Sequence, residues 1–216
     1  MAESLNKQLD QQRHRNMLIA QMAIITALSY VGFQFLRFDL HIAGGRTSFH
    51  FGNVFVMLAG ILLGPVAGGF SSALGLTIAD LTSGYGAEAP ATLIIKWLMA
   101  VLVYWVAESL LHLSQTTDRK AKTWKLIAAT AAGAVYNVIF DTLFRYLYKR
   151  FIMGFQQDIA AAIAKLASVT TIVNGLLAML AVTLVYLALE PTLVKNDWYH
   201  VKRVQEAKLA GEKLRA

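Results

Sequence analysis

An all-α integral membrane protein is the fold class this sequence predicts: a compact bundle of about six transmembrane helices with both termini cytoplasmic. Three observations predict it. The 216 residues are 56% hydrophobic and only 15% charged, with a mean hydropathy of +0.50, where a soluble domain carries about 25% charged residues. Apolar runs recur at about 20 residues, the length that crosses a bilayer. These runs are continuously apolar rather than alternating, which favours helices over a barrel.

Composition also excludes. There are no cysteines, so disulfides, thiolate metal sites and Cys nucleophiles are ruled out. No G-x-x-x-x-G-K-[ST] loop occurs, so the chain does not hydrolyse ATP by that route. The length leaves no room for a second, catalytic domain. The five histidines (His14, His41, His50, His112, His200) form no H-x-x-x-H or H-E-x-x-H pair, and neither a Ser-His pair nor paired carboxylates stand together. No enzyme, no cofactor and no metal are therefore expected. The net charge of +7 does not imply nucleic acid, because the basic residues gather in the tails and one loop.

Taken in order, residues 1–16 are expected to be a polar cytoplasmic arm, with no signal peptide following. Residues 17–190 are expected to form a single membrane domain, and 191–216 a basic amphipathic cytoplasmic tail. The first helix is expected over 17–36. Its Ala20, Ala23 and Ala27 share one face, and such a small-residue strip suits close helix packing, within this chain or against a separate subunit. Residues 37–48 read as a polar loop with a Gly44-Gly45 hinge, either a lid or a connector.

The second helix, 49–63, ends at Gly64-Pro65. It spans roughly 22 Å at 1.5 Å per residue, short for a bilayer core of about 30 Å, so it must lean on neighbours. The third helix, 66–82, presents Gly68, Ser72, Gly75 and Ala79 as a continuous small face for tight packing. After a loop at 83–89, Pro90 opens the fourth helix, 90–112, a placement its fixed φ suits. A polar linker covers 114–122. The fifth helix spans 124–148, and a polar connector follows at 149–157. The sixth helix, 158–189, is expected to stop before Pro191 and is longer than one span requires.

With both termini inside, the inner segments hold thirteen Lys/Arg against five outside, the sense of the positive-inside rule. Charged groups at membrane depth are costly and mark functional sites by default. In this topology they converge on the outward half. Lys96 and Thr92 share a face of helix four. Asn137, Asp141 and Arg145 form a stripe on helix five, and Thr170, Thr171 and Asn174 share a face of helix six. His50 and Asn53 open helix two, while Asp80, Tyr85 and Glu88 stand at the end of helix three. Such convergence is what an externally open pocket needs. Bland readings stand beside it: an Asp141–Arg145 ion pair, Asp80 closing the 83–89 loop, and Asn137 and Asn174 as interhelical glue. Lys165 lies half a turn from Asn174 and is expected to snorkel outward.

The segments FGNVFVMLAGILLGPVAGG (51–69), ADLTSGY (79–85) and PATLIIK (90–96), with Ala23-x-x-x-Ala27 in helix one, resemble the riboflavin-type S components of energy-coupling factor (ECF) vitamin transporters. The motifs cover residues 17–100; the C-terminal half is similar in layout alone. The resemblance implies a six-helix subunit of a bacterial or archaeal plasma membrane that binds a vitamin from outside. It implies docking through the alanine strip onto a transmembrane T component, with two ATPase subunits supplying the nucleotide-binding loop this chain lacks. The loop between helices one and two would act as a lid. Substrate-binding residues implied are Lys96, Asn137, Asp141, Thr170 and Asn174, with Tyr85 and Glu88 above; the residue reading adds Thr92, His50 and Asn53. The chain begins Met-Ala-Glu rather than Met-His, against a nickel or cobalt substrate. Lys96, carboxylates, amides and nearby Tyr85, Trp97 and Tyr136 suit a polar aromatic heterocycle: riboflavin, a vitamin B6 form or a hydroxymethylpyrimidine. The competing reading is a self-sufficient ion-coupled secondary transporter using Asp141 or Asp80.

Overall fold

The computed structural model describes residues 2–42 and 45–213. Helix α1, Ala2–Gln34, takes in the expected polar arm. That arm holds no Gly or Pro and is rich in strong helix formers, so nothing stops the helix at residue 17. Where a polar loop was expected, the chain makes an antiparallel hairpin of β1, Arg37–Ile42, and β2, Gly45–His50, with Arg37 opposite His50. Alternating Phe38, Leu40 and Phe49 on a polar background is a strand pattern. Of the expected hinge, Gly45 begins β2 and Gly44 lies outside the described residues.

Helix α2, Gly52–Leu63, has 12 residues, all buried except Phe55. It is the axle of the bundle, packed against α1, α3, α4 and α6. It can be short because its sides are enclosed by the neighbouring helices. Gly64, at φ 86°, turns the chain into Pro65 and then into α3, Ala67–Thr82. The small face of α3 is filled by backbone: a Cβ on Gly68 would strike the Ala59 carbonyl of α2, and one on Gly75 the Thr26 carbonyl of α1.

A single 3₁₀ turn, Gly86–Glu88, leads into α4, Ala89–Tyr104, with Pro90 in its first turn. A wider π-helical turn, Trp105–Leu110, extends α4. Helix α5, Arg119–Leu147, is capped by the Asp118 carboxylate accepting from the Ala121 N–H at 2.7 Å, and a second π-helical turn continues it through Tyr148–Ile152. Helix α6, Gln157–Lys195, runs through Pro191 rather than stopping before it. Glu190, beside that proline, is buried and clamped to the half-buried Lys122 of α5 at 3.0 Å. Neighbouring helices that hold the turn in this way let a bundle tolerate a proline.

Among the described residues, four helical spans, within 4–34, 86–110, 119–152 and 157–195, are long and apolar enough to cross a membrane. Exposed apolar stripes such as Leu176, Leu180 and Leu184 suit a lipid-facing exterior. Helix α7, His200–Lys213, folds back beneath the axle. Val201 touches the Gly64 corner, and buried Tyr199 bonds Tyr186 of α6 through their hydroxyls at 2.9 Å. Glu108 anchors this end from inside: its carboxylate accepts from the Ser114 N–H at 3.2 Å, the Gln205 amide at 2.9 Å and the Tyr199 hydroxyl at 3.4 Å.

Candidate functional site

The polar residues that seem scattered along the sequence meet at the hairpin end of the bundle. Here α2 begins, α3 ends, α4 begins, and α5 and α6 pass through. Nine of the ten expected substrate residues line one cavity: His50, Asn53, Tyr85, Thr92, Lys96, Asn137, Asp141, Thr170 and Asn174. Its free interior is about 30 Å³ for the centres of water-sized spheres, room for roughly two waters.

Glu88 is the exception. It faces Arg145 and Lys149 behind the cavity wall, bonding Lys149 Nζ at 3.1 Å and pairing with Arg145. Arg145 also donates to Asp141 at 2.8 Å. The expected i, i+4 pair is thus part of a longer alternating chain, Asp141–Arg145–Glu88–Lys149. That chain ties the Gly86–Glu88 turn to α5 and neutralises its members pairwise, as buried charges require.

Lys96 sits on the cavity wall, 6% exposed, and donates to Asn137 Oδ1 at 2.6 Å. Asp80 has two roles. Its carbonyl accepts from the Ser83 and Tyr85 N–H groups and closes the turn, while its carboxyl lines the cavity together with Thr92. Asn53 is 1% exposed, and its Oδ1 is buried without a donor.

The hairpin forms the roof. Asn174 of α6 accepts from the His50 N–H at 3.0 Å and donates to the Ser48 carbonyl at 2.9 Å. Its amide thereby pairs with β2 as a neighbouring strand would. One turn earlier, Thr170 and Thr47 share a hydrogen bond of 2.6 Å. His50 Nδ1 accepts from the Gly52 N–H at 3.1 Å, which leaves the proton on Nε2. His50 lies in the hairpin, outside the spanning helices. Burial first, and then the Lys96 charge, hold its imidazole at about 3, so it is neutral at physiological pH.

Two aromatic expectations do not survive. Trp97 is exposed and donates to the Pro65 carbonyl, at the far end of the bundle. Tyr136 stacks on Phe140 with ring centroids 4.5 Å apart and does not line the cavity. Lys165 is exposed while Asn174 is buried, as their half-turn separation requires. Sequence reasoning missed Phe33, Thr47, Ser48 and Leu76. The strand alternation of 37–50 was the available signal for Thr47 and Ser48, since it brings a strand over the site. The alanine strip stays uncovered: Ala20, Ala23 and Ala27 are all exposed, and Ala23 and Ala27 floor a groove with Thr26, Tyr30, Val31 and Ile78.

The family model described as ECF-type riboflavin transporter, S component, matches residues 15–191. The chain belongs to that family. An uncharacterised protein from Pyrococcus woesei is 39% identical to this S component over 59 residues. That match covers 27% of this chain and 39% of the relative. No solved structure matches. The family is that of the substrate-binding subunits of ECF transporters, and the long apolar helices fit a membrane-embedded, multi-pass chain.

Proposed function

We propose that this S component binds a small B-type vitamin or vitamin precursor with high affinity at the hairpin-end cavity and presents it for import across a bacterial or archaeal plasma membrane. Lys96, Asn137, Asp141, Thr92, Asn53, His50, Tyr85, Thr170 and Asn174 surround the ligand, with Glu88 holding the wall behind them. The hairpin is the gate, stitched to α6 by Thr170 and Asn174. The exposed strip of Ala20, Ala23 and Ala27 receives a transmembrane T component, and two partner ATPase subunits hydrolyse ATP. The observation that carries this reading is the pairing of two unlike features on one small bundle. One is a polar cavity roofed by a hairpin, and the other is a small-residue groove on α1 that none of the described residues covers.

The test is reconstitution. Native mass spectrometry of the purified chain is expected to show a co-purified small molecule. Proteoliposomes holding the chain with a T component and two ATPases are expected to take that molecule up with ATP. Uptake by the chain alone under an ion gradient would overturn the reading in favour of a secondary transporter using Asp80 or Asp141.

A further inference from the structure

We propose that the α7 end of the bundle holds one phospholipid of the adjoining leaflet, with an acyl chain in an apolar notch beneath the Gly64-Pro65 corner and the phosphate at His200 and Arg203. Nothing in this site depends on what the hairpin-end cavity binds. Its floor lies in α7, beyond the residues 15–191 that the family model matches.

The notch follows from unequal helix lengths. Helices α2 and α3 meet at the Gly64-Pro65 corner. Their neighbours run on past it. Trp97 of α4 donates to the Pro65 carbonyl, and α4 with its π-helical turn continues to Leu110. Leu18 of α1 stands beside the corner, with the polar end of that helix beyond it. The space left below the corner is a notch of about 300 Å³, against about 30 Å³ for the hairpin-end cavity. At roughly 10–15 Å³ for a water-sized group, it has space for about a dozen or more methylenes. Leu18, Leu63, Val66 and Tyr104 wall it, and Val201 and Val204 of α7 form the floor. Val66 is 71% exposed and Val204 50%, so the notch opens on the outside of the bundle. In a bilayer such an apolar recess takes a lipid tail, because water there finds no polar partners.

The tryptophans place this recess at headgroup depth. All four in the chain are exposed. Trp97 is bonded at the corner, Trp105 opens the π-helical turn, Trp124 lies in the first turns of α5, and Trp198 precedes α7. Tryptophan gathers at membrane–water interfaces. A tail in the notch therefore carries its headgroup down to α7.

The floor has the matching polar chemistry. Arg203 donates through Nη2 to His200 Nδ1 at 3.1 Å, a direction fixed because a guanidinium has no acceptor. Burial, and then the Arg203 charge, lower the His200 pKa, so the ring is neutral and carries its proton on Nε2. Arg203 Nε is buried and lacks an acceptor. Among the described residues no carboxylate stands within 4.0 Å of Arg203 or Lys202. Asp197 is turned to His14 of α1 at 3.8 Å, and Glu206 shares the Lys202–Arg203 side of α7. The surface is thus no bare cation patch. What it lacks is an acceptor for the Arg203 Nε–H. A phosphate oxygen supplies one, with the His200 Nε2–H as a second donor. Basic pockets beside spanning helices at a membrane face take lipid headgroups on the same chemistry.

The experiment is native mass spectrometry of the purified full-length chain, titrated in detergent with dioleoyl phosphatidylglycerol and, separately, with glycerol 3-phosphate. One phosphatidylglycerol per chain is expected to survive removal of the detergent. Arg203→Gln is expected to weaken that binding about tenfold, the value of a charge-assisted hydrogen bond. Val204→Trp fills the notch from an exposed position and is expected to weaken binding by at least as much, with the thermal midpoints of both variants unchanged. On the unmodified chain glycerol 3-phosphate should not displace the lipid, a readout that needs no variant. Absence of a one-to-one adduct would overturn the proposal. So would an adduct undiminished in either variant. Displacement by an equal concentration of glycerol 3-phosphate would also overturn it, by leaving a free phosphate site and no role for the notch. Cross-linking of a T component to residue 204 in a reconstituted complex, with the lipid expelled on assembly, would give the notch to a protein partner and overturn it too.

Discussion

The Lys96 ammonium and the Asn137 amide oxygen, 2.6 Å apart, join α4 to α5 inside the bundle. Replacing Asn137 by Leu leaves a buried cation without its protein acceptor, at a cost of about 1–3 kcal/mol. Adding Lys96→Met removes the cation too and should recover part of that loss. Thermal unfolding of the two single variants and the double variant in detergent measures the coupling. Strictly additive losses would mean that the pair contributes nothing beyond packing.

Asn174 holds the hairpin through both halves of its amide. Asn174→Leu should free β2 from α6, and Thr170→Val should loosen it less because a single hydroxyl contact is lost. At roughly 1 kcal/mol per hydrogen bond, amide exchange at residues 47–50 is expected to accelerate about tenfold or more in the Asn174 variant. Unchanged protection there would show that the hairpin is held from elsewhere.

At the opposite end Glu108 gathers donors from the Ser114 backbone, Gln205 and Tyr199. Glu108→Gln turns one of its acceptor oxygens into a donor facing the Gln205 amide, a loss of about 1–3 kcal/mol at this buried point. Helix α7 should then detach more readily. Limited proteolysis between Lys195 and His200 is expected to quicken, while ligand binding at the far end stays as it was.

Gly68 sits where α3 crosses α2, with no space for a methyl group before the Ala59 carbonyl. Because the obstacle is backbone, Gly68→Ala must push two helices apart. A loss of about 1–3 kcal/mol or more follows, as for other overpacked cores, visible as a lower thermal midpoint. Gly154, with nothing near its Cβ position, has space for the same substitution, but its φ of 72° makes it a poor control.

Ala27 is exposed on the α1 groove, so Ala27→Trp should leave folding within about 0.5 kcal/mol, the usual range for surface changes. Its expected effect is on assembly. Co-purification with a T component should fall to background while the isolated chain keeps its ligand affinity. Intact assembly would move the docking surface off α1.

How much could be read beforehand differs by element. The helices of the bundle were legible because apolar runs and the Gly64-Pro65 and Pro90 signals are local properties of the chain. The convergence of polar side chains on one cavity was legible too, since charged and amide side chains at membrane depth have few places to go: Lys96, Asn137 and Asp141 could only face inward. The hairpin was not read. Its polar residues resemble a loop, and its alternation matters only when a helix face such as Thr170–Asn174 is there to pair with it. Glu88 was misplaced for a related reason. Its partners Arg145 and Lys149 lie on a helix far along the chain, and the competition between a cavity and an ion chain is a tertiary matter. Pro191 misled because local preference gives way when Glu190 and Lys122 clamp the turn around it.

The enclosure of α2 has a consequence for biogenesis. A 12-residue segment is too short to be retained in a bilayer by itself, and its glycines and Asn53 gain little from lipid. It must enter the membrane joined to α3 through the Gly64-Pro65 corner and find α1 already in place. The segment richest in family motifs is therefore the one least able to insert alone, so the order of synthesis, α1 before the α2–α3 pair, is also an order in which each partner arrives before it is needed.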